Sequence, residues 1–410
     1  MSDLTVLKAR YEEAKAKNLA LDMTRGKPGS DQLDLSLPML DLVTSSDFKT
    51  LSNDDPRNYG GLDGIPEAKT LFKDVIETDR VEEVIVGGNS SLTLMHDTIA
   101  RCMSHGTVDS KVPWGKLEKA KFLCPSPGYD RHFSVCQHFG IEMIPVDMTD
   151  EGPNMDQVED LVANDDSIKG IWIVPKYSNP TGISVSDKVV ERLAAMKTAA
   201  NDFRIFWDNA YTVHHLSDDH DEIKNILKAC KTAGNENRVF VYVSTSKITF
   251  AGAGVAAMGG SVANMDWMRK HLSMSTIGPD KINQVRHCRF FGDINGLKDH
   301  MKKHAQLIKS KFDIVISILE EQLGGKGIAS WTNPKGGYFI SLDTKDGKAK
   351  RVVALAAEAG VKLTAAGATF PYNNDPRDRN IRLAPTLPSV GEIKQAMEIV
   401  CLCVELAEAE

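Results

Sequence analysis

The 410-residue sequence lacks any apolar run of the roughly 18–20 residues that a membrane-spanning helix needs. Its first residues mix acidic and basic side chains without the apolar segment of a signal peptide, so we expect an amphipathic helix there. The seven cysteines are an odd number and include no pair spaced for a metal, which is typical of reduced thiols. From the absence of these features we predict no membrane partner, no metal site and a cytoplasmic location.

Positive charge is also scarce. The 49 lysines and arginines face 56 acidic residues, which gives a net charge of −7. An acidic chain has no general attraction to nucleic acid or to anionic membranes. We therefore expect no nucleic-acid partner, and the positive charge of any binding site must be local.

Short apolar runs alternate with amphipathic stretches between about Val81 and Met258. The runs that we interpret as buried strands are Val84–Val86, Phe122–Leu123, Met143–Val146, Ile171–Val174, Ile205–Trp207 and Val239–Val243. The alternation predicts an α/β domain whose sheet has roughly seven mostly parallel strands, covered by helices on both faces. Ligands of such sheets bind beyond the carboxyl ends of the strands.

The pattern changes after Gly292, where a long helical stretch, Leu297–Leu323, leads into a mixed region and a last helix from about Val390. We predict a smaller α+β domain formed by residues 1–55 and 293–410, and a large domain of residues 56–292. No repeat or proline-rich linker interrupts the chain, so we expect the two domains to be closely joined.

Polar side chains follow several of the predicted strands. Lys247 stands just after Val239–Val243, and a buried lysine can offer the uncharged amine that adds to an aldehyde. Asp208 ends another run and can keep a pyridinium nitrogen protonated. Tyr211 and Asn179 can donate to a ring phenolate oxygen. Each of these residues, taken alone, also has an ordinary explanation as a strand-end or turn residue.

Donors for an anion lie in two further segments. The loop Gly87-Gly88-Asn89-Ser90-Ser91 follows a strand and opens a predicted helix, whose N-terminal amides can bind a phosphate. Ser244 and Ser246 can reach the same group. Tyr129 follows another strand end and suits stacking on a pyridine ring. Arg382, on a late strand, offers a guanidinium fork for a carboxylate.

In their order along the chain, these motifs resemble those of fold-type-I, class I pyridoxal-phosphate (PLP) enzymes, especially the aspartate aminotransferases. The motifs are the glycine-rich loop, Pro-x-x-Tyr, Asn-Pro-Thr-Gly, Asp-x-x-Tyr, Ser-x-Ser-Lys and a late Ile-Arg-Leu. The resemblance covers nearly the whole chain. It implies PLP as cofactor, a large domain with a mostly parallel sheet, a smaller α+β domain, and a homodimer with shared active sites.

The resemblance also implies a role for each residue. Lys247 would bind the cofactor aldehyde and act with Asp208 and Tyr211 in catalysis. The residues implied to contact the cofactor are Gly88, Asn89, Ser90, Tyr129, Asn179, Asp208, Tyr211, Ser244, Ser246, Lys247 and, from across the dimer, Tyr59. The residues implied to contact the substrate are Arg25 and Gly26, in a segment that closes over it, with Asn179 and Arg382.

Two departures from the family pattern matter. Relatives carry a phosphate-pairing arginine shortly after the lysine, whereas Ile248–Val255 contains none. The sequence is therefore most similar to a divergent branch whose members resemble aspartate aminotransferases and the effector domains of MocR-type regulators. The arginine for a distal substrate carboxylate also has no clear counterpart around Ser273–Pro279. The open candidates for it are Arg25, Lys27, Arg131 and Arg286.

We expect an aminotransferase that exchanges an amino group between an L-amino acid and a 2-oxo acid. Resemblance alone favours L-aspartate with 2-oxoglutarate. An aromatic or broad-range aminotransferase is the next alternative, and a decarboxylase or lyase can use the same cofactor site. A non-catalytic PLP-binding regulator module would need a basic DNA-binding domain before the large domain. The run His214–Asp221 lacks metal-ligand spacing, so we interpret it as a solvated loop.

Overall fold

The structure is a computed structural model that describes residues 3–410. Its α-helices are α1 (Asp3–Ala16), α2 (Ser30–Asp34), α3 (Pro66–Ile76), α4 (Ser91–His105), α5 (Asp130–His138), α6 (Met155–Asn164), α7 (Asp187–Ala195), α8 (Ile226–Thr232), α9 (Val262–Leu272), α10 (Lys281–Phe291), α11 (Ile294–Leu323), α12 (Ala349–Glu358) and α13 (Val390–Ala409). Short 3-10 helices cover Leu37–Asp41, Val81–Glu83, Trp114–Lys116, Glu236–Arg238 and Pro371–Asn373.

The strands are β1 (Leu21–Asp22), β2 (Val84–Val86), β3 (Lys121–Ser126), β4 (Glu142–Thr149), β5 (Gly152–Pro153), β6 (Ile168–Ile173), β7 (Arg204–Asp208), β8 (Val239–Ser244), β9 (Ala256–Gly259), β10 (Ala329–Trp331), β11 (Ile340–Thr344), β12 (Val361–Lys362) and β13 (Asn380–Leu383). No helix in the described range is long and apolar enough to cross a membrane.

The large sheet has the strand order β2-β9-β8-β7-β6-β3-β4-β5. Five neighbouring strands, from β8 to β4, pair in parallel, whereas β9 runs antiparallel between β2 and β8. The prediction of roughly seven mostly parallel strands is confirmed, with the two-residue β5 added at the edge. Because parallel strands end at one edge of a sheet, the residues that follow β6, β7 and β8 come together there.

Helices cover both faces of this sheet, which is why its central strands are apolar throughout. Side chains alternate between the faces along each strand. Trp207 and Val241 therefore pack into one cluster with α3, α7 and α10, while Phe206 and Tyr242 pack into another with α4, α5 and α9.

A second unit packs around a three-stranded antiparallel sheet of order β10-β11-β13. It combines both ends of the chain, since β1 pairs with β12 and α1 packs against α13. The 30-residue helix α11 belongs to both units. Its Leu297 and Met301 lie in the core of the large sheet, and Ile308 to Leu323 lie in the second core. The boundaries at residues 55 and 293 stay a prediction.

Candidate active site

Lys247 lies in the turn that follows β8, between two tyrosine rings. Its Nζ atom is 5.1 Å from the centre of the Tyr211 ring and 5.9 Å from that of Tyr338. Burial lowers the pKa of the Lys247 ammonium, and the Asp208 carboxylate acts in the opposite direction. A lowered pKa increases the fraction of neutral amine, which is the nucleophilic form.

The backbone of the Lys247 turn is held from the second unit. Tyr338, which is fully buried, donates from its hydroxyl to the Lys247 carbonyl at 3.2 Å and accepts from Gln32 Nε2 at 2.9 Å. His300 Nε2 donates to the carbonyl of Ile248 at 2.9 Å. The turn is thus fixed by buried hydrogen bonds from α11 and from the segment before β11, where Tyr338 is itself held by Gln32 of α2.

Helix α10 holds the same turn from the other side through His287. Its Nδ1–H donates to the carbonyl of Asn283 at 2.8 Å, so Nε2 is left to accept from the hydroxyls of Thr245 at 3.1 Å and Thr249 at 2.9 Å. Burial lowers the pKa of His287 to about 4, so the ring is neutral near pH 7 and keeps this acceptor.

Asp208 ends β7 as a buried carboxylate with one oxygen unused. Oδ2 accepts from His132 Nε2 at 2.9 Å, and the His132 ring stacks on Trp172 with ring centres 4.3 Å apart. Oδ1 is buried and has no hydrogen-bond partner within residues 3–410. An unpaired buried carboxylate oxygen is costly, and an N–H donor from a ligand relieves that cost. The protonated ring nitrogen of PLP is such a donor, so Asp208 fits this cofactor.

His132 was not singled out from the sequence, although a signal for it exists. Tyr129 is the N-cap residue of α5, and His132 lies in the first turn of that helix. Residues three positions apart on a helix lie on one face, and the two rings are 4.9 Å apart in an edge-to-face arrangement. A histidine three residues after the predicted stacking tyrosine was therefore recognisable as a neighbour.

Tyr211 and Asn179 lie at the neighbouring strand ends, and both are buried. Burial raises the pKa of the Tyr211 hydroxyl well above its ordinary value, with smaller contributions from Tyr129 and Asp208. Tyr211 is thus a protonated donor. The Oδ1 atom of Asn179 accepts from Arg382 Nη1 at 3.3 Å, which leaves its amide N–H groups to donate.

The predicted phosphate donors meet at the N-terminus of α4. Ser90 caps the helix by accepting from the amide of Leu92 at 3.2 Å. Ser244 donates to Ser246 at 3.2 Å, and Ser246 donates to the carbonyl of Asn89 at 3.4 Å. Gly88 is exposed beside them. These hydroxyls, with the free amides of a 15-residue helix, form a site suited to an anion.

Arg382 on β13 is buried and already surrounded by acceptors. Nη1 is 3.0 Å from Asp130 Oδ1 as well as 3.3 Å from Asn179. Nη2 donates to the hydroxyl of Thr364 at 3.2 Å and to the carbonyl of Thr24 at 3.4 Å. The guanidinium carbon also lies 5.0 Å from the centre of the Phe339 ring. The ion pair with Asp130 was not predicted.

Gly26 lies against the same aromatic ring. A Cβ atom at residue 26 would be 2.5 Å from Phe339 Cζ, so the backbone approach needs a glycine. The segment that begins at Arg25 is thereby placed next to Arg382, although the Arg25 side chain itself is exposed.

Tyr59 is separated from the other predicted site residues and is 82% exposed. Its loop is held in place, because Lys281 Nζ donates to the carbonyls of Asn58 and Gly60, each at 2.7 Å. Two other exposed apolar side chains, Met274 and Ile277, precede Gly278, which packs against Gly60.

The prediction that His214 belongs to a solvated loop was wrong. Its ring is buried, with its centre 5.6 Å from those of both Tyr211 and Tyr338, and its pKa is lowered well below the ordinary value by burial and by Lys247. The reason is that the segment after β7 turns back under the second unit, where Gly337 N donates to the carbonyl of His214 at 2.9 Å.

The sequence matches the family described as aspartate amino-transferase over residues 1–410. The chain belongs to the aspartate aminotransferase family. An aspartate aminotransferase of Corynebacterium glutamicum is 49% identical over 404 residues, which cover 98% of this chain and 93% of that protein. The crystal structure of an aspartate transaminase from the same organism superposes with a TM-score of 0.96 at 49% identity, covering 99% of this chain and 95% of the other.

A more distant structure shows how widely the fold extends. The α-aminoadipate aminotransferase of Thermus thermophilus, complexed with N-(5'-phosphopyridoxyl)-L-leucine, superposes with a TM-score of 0.76 at 17% identity, covering 97% of this chain and 95% of the other. At that identity the likeness concerns the fold alone. The family match and the Corynebacterium glutamicum relative confirm the predicted family, with its aminotransferase activity and PLP dependence, and the solved structures confirm fold type I.

The segment Ile248–Val255, which lacks the family arginine, is held in place by two asparagine side chains. Asn89 Oδ1 accepts from the amide of Gly254 at 2.7 Å, and Asn89 Nδ2 donates to the carbonyl of Ala251 at 3.3 Å. On the other side, Asn283 Nδ2 donates to the carbonyls of Ala253 and Gly254 at 2.9 and 3.0 Å. The Asn89 side chain is thus committed to this segment, and its backbone amide is what remains for a phosphate.

The candidates for the distal carboxylate differ in exposure. Arg25, Lys27 and Arg131 are exposed, whereas Arg286 is half-buried on α10. The Nε atom of Arg286 is buried and has no hydrogen-bond partner in the described part of the chain.

Proposed function

We propose that this protein catalyses amino transfer between L-aspartate and 2-oxoglutarate, giving oxaloacetate and L-glutamate, with PLP held at Lys247. The observation that carries the assignment of the site is the buried, unpartnered Oδ1 of Asp208 at the strand end next to Lys247. A cationic N–H donor would relieve the unpaired carboxylate oxygen, and the lowered pKa of the Lys247 amine favours the neutral form that adds to an aldehyde.

When bound, PLP supplies an electron sink for the pair left on the substrate Cα after deprotonation. The protein residues have the following roles in this proposal. Asp208, oriented by His132, keeps the ring nitrogen protonated, while Tyr211 and Asn179 donate to the phenolate oxygen. The amine of Lys247 would take the proton from Cα as general base and deliver it to C4′ of the cofactor as general acid.

Substrate binding is assigned to Arg382, whose guanidinium can donate to both oxygens of an α-carboxylate. One partner of that fork is Asp130, at 3.0 Å from Nη1. A substrate carboxylate approaching Nη1 meets this like charge, so Asp130 must move away as the substrate binds. Gly26, packed against the Phe339 ring beside Arg382, is proposed to line the same site.

The assembly and the cellular setting belong to the same proposal. We place Tyr59 at the PLP phosphate of a second subunit, since an aromatic side chain 82% exposed on a firmly held loop suits an interface. Met274 and Ile277, 84% and 62% exposed, extend that apolar surface. A cytoplasmic location is supported by seven unpaired cysteines, six of them buried. The proposal also divides the chain into a large domain of residues 56–292 and a smaller domain of residues 1–55 and 293–410.

The test is the absorption spectrum of the purified PLP-loaded protein during titration with L-aspartate, then with 2-oxoglutarate. We expect L-aspartate to convert the spectrum from the aldehyde to the amine form of the cofactor, and 2-oxoglutarate to restore it. L-phenylalanine is titrated in parallel. Conversion by L-phenylalanine but not by L-aspartate would replace the substrate, and absence of any PLP band after loading would overturn the whole assignment.

A further inference from the structure

His214 is a buried histidine whose ring has no hydrogen-bond partner. It is 3% exposed, and neither Nδ1 nor Nε2 is paired with any residue from 3 to 410. The other histidines that are buried in this range each have at least one hydrogen-bonded ring nitrogen, namely His132, His287, His300 and His304. Buried polar groups in folded proteins are nearly always paired, so an unpaired ring next to Lys247 needs an explanation.

The backbone holds this ring in the interior. The amide of His214 donates to the carbonyl of Tyr211 at 3.0 Å, and its carbonyl accepts from the amide of Gly337 at 2.9 Å. Gly336 packs so closely that a Cβ atom there would lie 2.4 Å from the same carbonyl. His214 is thus fixed between the segment that follows β7 and the segment that precedes β11.

The ring of His214 and the amine of Lys247 lie beside the same two tyrosines. His214 makes edge-to-face contacts with Tyr211 and Tyr338, with ring centres 5.6 Å apart in both cases. Lys247 Nζ is 5.1 Å and 5.9 Å from the centres of those two tyrosine rings. After burial, the charge of Lys247 is also the largest influence that lowers the pKa of His214. The two side chains are therefore neighbours.

The ring of His214 is neutral near pH 7. Burial, Lys247 and, to a smaller extent, His304 and His215 all hold its pKa well below the ordinary value. A neutral imidazole carries one N–H and one acceptor nitrogen. The carbonyl of Lys247 acts on this pKa in the opposite direction, so it lies near one ring nitrogen, although outside hydrogen-bond geometry. We assign the N–H to that nitrogen, which leaves the other nitrogen as an acceptor without a donor.

The Lys247 amine is the matching donor. It has no hydrogen-bond or ion-pair partner in the described part of the chain, where it contacts the two tyrosine rings. An amine that works as a general base must keep its lone pair free for the substrate proton. A neutral histidine that accepts from an N–H of the amine fixes the amine without occupying this lone pair, whereas a cationic histidine would compete for it.

We propose that His214 is a positioning residue of the amino transfer, whose acceptor nitrogen takes a hydrogen bond from the Lys247 amine once that amine has been released from the cofactor. The inference rests on the function proposed above, in which Lys247 carries the proton. Rotation about the flexible four-carbon side chain brings the amine from the tyrosine rings to His214. His214 neither gains nor loses a proton in this role, because it only orients the amine that does.

The first experiment compares two forms of the holoenzyme that contain isotope-labelled histidine. With PLP the Lys247 amine is bonded to the cofactor, whereas with pyridoxamine phosphate, which has no aldehyde, it is free. We expect the acceptor-nitrogen resonance of His214, identified by its loss in His214→Gln, to move toward the hydrogen-bonded position in the pyridoxamine phosphate form. Lys247→Met should abolish this shift, and the surface control Lys302→Met should keep it. An unmoved resonance in the wild type overturns the proposal.

The second experiment separates the hydrogen bond from the packing of the ring. His214→Phe keeps an aromatic ring between Tyr211 and Tyr338 but removes the acceptor, while His214→Gln returns an acceptor. Single-turnover reaction with L-aspartate should be at least about tenfold slower in His214→Phe at unchanged substrate affinity, and largely recovered in His214→Gln. His271→Phe, at a half-buried ring stacked on His105, is the control.

Equal rates for the wild type and His214→Phe, or an equal loss in His214→Phe and His214→Gln, overturn the positioning role. If His214→Phe does not fold, the resonance measurement alone decides. Failure of the proposed function is seen separately, because a protein that takes up no PLP shows no PLP absorbance band before either experiment begins.

Discussion

The proposed cofactor half and the proposed substrate half of the site differ in how they hold their charged groups in the absence of a ligand. In the cofactor half, Lys247 has no carboxylate partner within the described residues, and Asp208 keeps one oxygen free. In the substrate half, Arg382 is held by Asp130, Asn179 and Thr364. In the first half the unpaired groups are already in position, so a ligand would supply their missing hydrogen-bond partners. In the second half both Nη atoms of Arg382 already have acceptors and only Nε is unpaired within residues 3–410, so a carboxylate that binds the Nη atoms must replace a partner.

The largest effect should come from removing the amine of the open half. Lys247→Ala deletes both the covalent attachment and the proton carrier, and we expect transamination to fall by at least about 10²–10⁴-fold. The measurement is single-turnover kinetics with L-aspartate on the PLP-loaded variant. Lys302→Ala is the control, because that lysine is an exposed member of a surface ion pair. Retained turnover in a folded Lys247→Ala protein would contradict the assignment.

The second-largest effect should come from neutralising the Asp208 carboxylate. Asp208→Asn removes from the apoprotein a buried negative charge of which only Oδ1 is unpaired, and from the holoenzyme the counter-charge of the ring nitrogen. We expect the apoprotein to lose little stability, while the rise in melting temperature on PLP binding shrinks and kcat falls. Thermal unfolding with and without PLP measures the first effect. An unchanged PLP-induced shift would show that Oδ1 does not meet the cofactor.

Substitution of Asp130, which holds Arg382 in the substrate half, should have the opposite effect and improve substrate binding. Asp130→Asn removes the negative charge that competes with the substrate for Arg382, so we expect KM for L-aspartate to fall about three- to tenfold with kcat nearly unchanged. Initial rates at several L-aspartate concentrations measure it. Asp299→Asn, a surface carboxylate paired with Lys302, is the matched control. A rise in KM would mean that Asp130 orients Arg382 rather than competing for it.

The smallest effect is a shift in pH dependence. Burial lowers the pKa of Lys247 below its ordinary 10.5, so PLP uptake by the apoprotein should rise with pH and level off at a pH below that value. Asp208 raises this pKa, so Asp208→Asn should move the midpoint lower still. Stopped-flow absorbance at a series of pH values gives both midpoints. A midpoint at or above 10.5 in the wild type would contradict the role of burial.

Local sequence patterns predicted where several of the proposed site residues lie in the fold. Lys247, Asp208 and Asn179 each follow a run of apolar residues, and such a run predicts a buried strand whose end faces the ligand edge of a parallel sheet. Strand positions and helix ends could be predicted for the same reason, since apolar periodicity and caps such as Ser90 act over a few residues.

The contacts that tune these residues were decided only by the tertiary structure. His132 meets Asp208 across 76 residues, Tyr338 meets the Lys247 carbonyl across 91, and Asp130 meets Arg382 across 252. No local propensity records such pairs, because they form only when segments distant in the chain pack together, and the last two also join the two units. The sequence by itself therefore determined the family, the sheet and the chemical groups at its edge. Tertiary packing decided which of those groups already have hydrogen-bond partners and which remain unpaired.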